Sequence, residues 1–120
     1  MDRRVNLEDL ERYVLEQVES YRYEVSNAAL GRPMSQDWVM QQLAELRAAL
    51  VKPEWRLVVN RDRPKLGVKP KAHQCVLVAD DGDGLELYYD PVGEEFVLSS
   101  GDPPETFGIR GDVVGCFMAR

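Results

Sequence analysis

Long apolar runs are missing from this chain. Nowhere do about eighteen apolar residues follow one another, so no helix that spans a membrane is expected. Histidine is nearly missing too. His73 is the only one, so any Ser-His-Asp or Cys-His chemistry would have to run through it. Cysteine is limited to Cys75 and Cys116, with no C-x-x-C pair. That excludes a zinc knuckle and a thioredoxin-type motif, and two reduced core thiols are expected. G-x-S-x-G, H-E-x-x-H, a P-loop and a dinucleotide fingerprint are all absent. The reading is a protein with no catalytic residues, no cofactor and no bound metal. The start, MDRRVNLEDLERYV, has two arginines but no apolar stretch behind them. The chain is therefore expected to stay in the cytoplasm, where thiols remain reduced.

Positive charge is also missing where it would matter most. Residues 80–105 hold nine acids and no Lys or Arg, within a net charge of −6. Such a balance disfavours nucleic acid and anionic membrane as partners. The bases gather elsewhere: residues 61–71, RDRPKLGVKPK, hold five of the fifteen. Few small domains separate charge so sharply along the chain.

What is present is enough for one domain of 120 residues with its own core. The first half reads as two helices. Asn6 caps the first, over 6–30, whose stripe is Leu7, Leu10, Val14, Val18, Tyr21, Val25 and Ala28. Ser35 caps the second, over 35–51, with Val39, Leu43, Leu46 and Leu50 on one side and Pro53 as its stop. The short link between them predicts an antiparallel helical hairpin.

The second half reads as strands at 54–60, 74–80, 85–90 and 95–100, joined by short turns in a meander. Residues 61–72 form a basic loop. Residues 112–119 form a short helix or a strand, docked by Val113, Val114, Cys116, Phe117 and Met118. The fold class is thus α+β, the helical hairpin covering one face of a four- or five-stranded antiparallel sheet. Leu85, Leu87 and Tyr89 alternate with Glu86, Tyr88 and Asp90, so one sheet face is expected to be buried and the other wet.

DDGDG at 80–84 fails as a calcium loop. With Asp81 first, the fifth and sixth ligand-loop positions fall on Leu85 and Glu86. Its Asp-Gly pairs suit a hairpin turn instead. RGD at 110–112 reads as a chance tripeptide, with Arg110 placed to pair with a strand carboxylate and Asp112 to cap the segment after it.

The charge pattern supports three functional readings. The first is a protein-interaction module, bacterial in style, that meets a basic partner with an acidic β-face of Asp81, Asp83, Glu86, Tyr88 and Asp90. Its format and charge are those of small immunity proteins and inhibitors, with Tyr88 as an exposed anchor in a ring of carboxylates. The second is a site for an anionic ligand or a small enzymatic domain, using Arg61, Arg63, Lys65, Lys69, Lys71 and His73. Here His73 stands at the edge of the loop, too far along the strand from Cys75 for easy contact. The third is a homodimer held by apolar surface that the hairpin leaves over.

Overall fold

The computed structural model describes residues 5–21, 35–60 and 71–120. The elements in order are α1 (Leu7–Ser20), α2 (Gln36–Ala49), β1 (Leu50–Asn60), β2 (Lys71–Asp80), β3 (Leu85–Asp90), β4 (Glu95–Ser100), β5 (Glu105–Gly111) and α3 (Val113–Met118). The mixed helix-and-meander architecture expected from the sequence is present. Among the described residues no helix is long and apolar enough to cross a membrane.

The helix starts obey local chemistry. The Asn6 side chain accepts from the Asp9 amide, and the Ser35 hydroxyl accepts from the Trp38 amide. The ends differ from expectation. α1 stops at Ser20, because Tyr21 turns to an extended conformation and the Ser20 hydroxyl donates back to the Glu16 carbonyl at 2.7 Å. Residues 22–34, with the rest of the expected first helix and the link, lie outside the described residues. α2 stops at Ala49, and the chain passes straight into β1. Pro53 therefore lies inside a strand rather than marking the end of a helix. The register of β1 against β2 is irregular between Leu50 and Glu54, where a residue without an N–H does least harm. β2 likewise begins at Lys71, three residues before its expected start, which puts His73 in the sheet.

The main correction concerns the sheet. β1 to β5 pair antiparallel in sequence order, and β1 also pairs with β5 in parallel, at Val59 and Glu105. The Val59 amide donates to the Pro104 carbonyl at 2.9 Å and helps to fasten this seam. The sheet is a closed barrel, not an open layer with a wet face. Register shifts in β1, between Leu77 and Ala79, and between Val97 and Ser99 supply the bends that closure needs. The face expected to be wet is the inside. Val58, Cys75, Leu77, Tyr88 and Val97 pack there as a cluster of their own. The outer face carries Val76, Val78, Leu87, Phe96 and Leu98, covered by Leu10, Val14, Val18, Leu46, Val113 and Phe117 from the three helices.

α3 resolves the ambiguous C-terminus as a helix. Asp112 caps it by accepting from the Gly115 amide at 2.9 Å. Arg120 then ties it down, reaching Glu45 at 2.6 Å and Asp81 at 3.2 Å while stacking 4.0 Å from the Phe117 ring centroid.

DDGDG is the β2–β3 turn. Gly82 and Gly84 adopt φ of +79° and +97°. The Asp80 carboxylate accepts from the Gly82 amide, and that of Asp81 accepts from the Asp83 and Leu85 amides. A Cβ at Gly84 would meet nothing within 4 Å. Gly84→Ala is therefore expected to cost only the backbone strain of a left-handed residue, about 1–2 kcal/mol, read as a shift in the urea midpoint. No loss at all would mean that the turn rearranges freely.

Candidate functional site

The two ends of the barrel carry its polar chemistry. At one end β3 finishes on Asp90, whose side chain turns into the barrel and is buried. Its Oδ1 accepts from the Val92 amide at 2.9 Å, and lies 2.8 Å from Nε2 of His73. Its Oδ2 accepts from the Arg110 guanidinium at 2.9 Å. Arg110 also donates to Glu95 at 3.2 Å and to the Asn60 side-chain oxygen at 3.0 Å. Strands β1 to β5 each contribute one member: Asn60, His73, Asp90, Glu95 and Arg110. Arg110 does pair with strand carboxylates, as its isolation among acids suggested.

Burial by itself pushes the Asp90 carboxyl up. The bonds from Arg110, His73 and Val92 outweigh it and hold the group below its ordinary range. Cys75, two residues from His73 on the same inner face, is only 1% exposed. Burial first, and the charge of Asp90 second, push its thiol up to about 12, against the pull of Arg110. Cys75 is thus a protonated thiol walled into the barrel, without the exposure or thiolate character of a nucleophile. The sequence reading set His73 too far along the strand for easy contact with Cys75. In the barrel, ligand atoms of His73, Cys75 and Asp90 all lie within 4.8 Å of one another.

At the other end the tips of the β2–β3 and β4–β5 turns stand side by side. They enclose an open hollow of about 610 Å³, lined by Arg56, Asp80, Glu86, Asp102 and the bare backbone of Gly82, Gly84 and Gly101. Among the described residues Arg56 is the base in that lining, and it is already engaged by Glu54 and by Glu86 at 3.2 Å. Among the described residues the hollow thus sets three carboxylates against one base, on which Glu54 also draws. A second hollow, about 260 Å³ between α1 and the start of β1, is mostly apolar, with Glu11 and Lys52 its charged residues among those described.

The residues expected to form one acidic face are therefore divided. Asp83 is exposed on its turn and Glu86 borders the hollow. Asp81 is committed to its turn and to Arg120. Tyr88 and Asp90 are inside the barrel, Tyr88 with no exposure and its hydroxyl donating to Glu86 at 3.1 Å. Tyr88 is not an exposed anchor, because closure of the sheet buries the face it stands on. Asp102, Gly82 and Gly101 were not among the expected site residues. The register of β3 against β4, with Leu85 opposite Ser100, sets the 101–104 turn beside the 80–84 turn.

Of the expected anion-binding residues, Arg61, Arg63, Lys65 and Lys69 lie outside the described residues. Lys71 is exposed on β2, and His73 is a half-buried strand residue bound to Asp90 rather than a loop-edge group. Comparison of the chain with protein-family models, with curated proteins and with solved structures finds no match.

Proposed function

We propose that the chain is a protein-interaction module that receives a basic segment of its partner at the acidic end of the barrel. The observation that carries this reading is the hollow between the two turn tips. Asp80 and Glu86 from the β2–β3 hairpin and Asp102 from the β4–β5 turn converge there, around glycines that let a partner approach the backbone closely. A Lys or Arg side chain entering it would meet carboxylates and turn carbonyls and few other cations. The format remains that of a small inhibitor or immunity protein, by analogy of size and charge alone. Cys75 and Cys116 are free and buried, which suits a reducing compartment such as the cytoplasm.

The reading is tested with an arginine- and lysine-rich peptide as probe, followed by amide shifts. Perturbation should centre on 80–84 and 101–104 and weaken as salt rises. Asp80→Lys combined with Asp102→Lys should abolish it at only a small loss of stability, about 1 kcal/mol for the Asp80 bond to the Gly82 amide, since both side chains are exposed. Shifts centred on 61–71, or an acidic probe binding better than the basic one, would sink this reading and favour the basic loop.

A further inference from the structure

Beyond the acidic hollow, the opposite end of the barrel holds a second arrangement of interest. Imidazole, thiol and carboxylate are the ligand types that a divalent metal of the zinc kind takes. Here one of each stands on two neighbouring strands, His73 and Cys75 on β2 and Asp90 on β3. Their ligand atoms lie within 4.8 Å of one another. Zinc bonds of about 2.0–2.3 Å set tetrahedral ligands roughly 3.3–3.8 Å apart. The His73–Asp90 contact of 2.8 Å must then open by about half an ångström, and the sulfur must close by up to about 1.3 Å. His73, with a side chain 24% exposed, is the member free to make that move. Spacing along the chain hides the group, because H-x-C with an aspartate fifteen residues further on matches no usual ligand pattern.

The surroundings suit such a centre. The Val92 and Gly93 amides and Arg110 already orient Asp90, as outer partners of a metal ligand do. Arg110 on its own repels a cation, but the charge count of the cluster runs the other way. Among the described residues Asp90 and Glu95 outnumber it by one. A divalent cation, with the thiolate that it creates, adds one positive charge and leaves the cluster neutral. The energy of the new metal–sulfur bond is what drives the thiol proton out to water. We propose that His73, Cys75 and Asp90 form a binding site for one zinc-like divalent cation, with a fourth position open to water on the exposed side of His73.

Cobalt(II) is the probe, added to the reduced, metal-free full chain. The expected result is one equivalent bound, with tetrahedral visible bands and a thiolate-to-cobalt charge-transfer band that zinc abolishes by displacement. Cys75→Ala should remove the charge-transfer band, whereas Cys116→Ala should keep it. His73→Gln changes a half-exposed residue and keeps Cys75 in place, so it serves if Cys75→Ala fails to fold. It should weaken cobalt binding by more than the roughly 10–100-fold typical of losing a mere supporting partner. Absence of a charge-transfer band at millimolar cobalt, its persistence in Cys75→Ala, or unchanged affinity in His73→Gln would each overturn the proposal. Binding of the basic peptide at the acidic hollow is unaffected by any of these outcomes.

Discussion

Asp90→Asn is expected to destabilise the protein by about 3–5 kcal/mol, the usual cost of removing one partner from a buried ion pair. The substitution removes the charge that Arg110 faces at 2.9 Å, inside a barrel where that guanidinium is only 9% exposed. Glu95 remains as a counter-charge at 3.2 Å, but it is more exposed and better screened. A domain of this size commonly has only about 5–15 kcal/mol in total, so the variant should be marginal at body temperature. Urea unfolding measures the loss. A change below about 1 kcal/mol would match an exposed pair instead and would overturn the placement of Asp90. Adding Arg110→Met should recover part of the loss, because the second change removes the orphaned charge. The same pair predicts an acid limit. Asp90 titrates lower in the folded chain than in the unfolded one. Its contribution is complete above the unfolded carboxylate range and is lost as pH falls through the folded value, below about pH 4. Stability of the wild-type chain should fall with acid more steeply than that of Asp90→Asn.

Tyr88→Ala is expected to cost about 3–5 kcal/mol as well, by the different route of an unfilled interior volume. Tyr88 is fully enclosed by Val58, Cys75, Leu77 and Val97 in the inner cluster. The milder Tyr88→Phe keeps that volume and removes the hydroxyl's bonds with Glu86 and Arg56, at about 1 kcal/mol each. The phenol titrates well above its ordinary range, because burial first and the neighbouring Glu86 second disfavour its anion. It therefore stays protonated and keeps donating through the alkaline range in which most tyrosines ionise. A Tyr88→Ala variant of unchanged stability would overturn the placement of this residue in the interior.

The helix starts, the turn at 80–84, the cap at Asp112, the buried free thiols and the meander order were all legible along the chain. Each depends on interactions within a few residues, such as a side-chain cap, an Asp-Gly pair or a short apolar run. Two further signals were legible but outweighed. Residues 75–79, CVLVA, and 96–98, FVL, are continuously apolar, which is the pattern of strands buried on both faces. The alternation in 85–90, with Glu86 and Asp90 on one side, argued for a wet face instead. Both patterns hold at once only if the second face encloses a polar interior.

By itself the sequence determined the helical first half, the strands around 54–60, 74–80, 85–90 and 95–100, and that acids crowd the second half. The tertiary structure alone decided where those acids point. Closing β1 onto β5 turns one face of the sheet inward, so the same alternation that suggests solvent places Tyr88 and Asp90 in the interior. Strand pairing sets His73, Asp90 and Arg110 together across as many as 37 positions of chain and brings Asp102 near Asp80, and closure adds Asn60 of β1 to Arg110 of β5. The physical reason is that side-chain period is a local property, whereas the sign of a face, solvent or interior, depends on whether the sheet edges find each other.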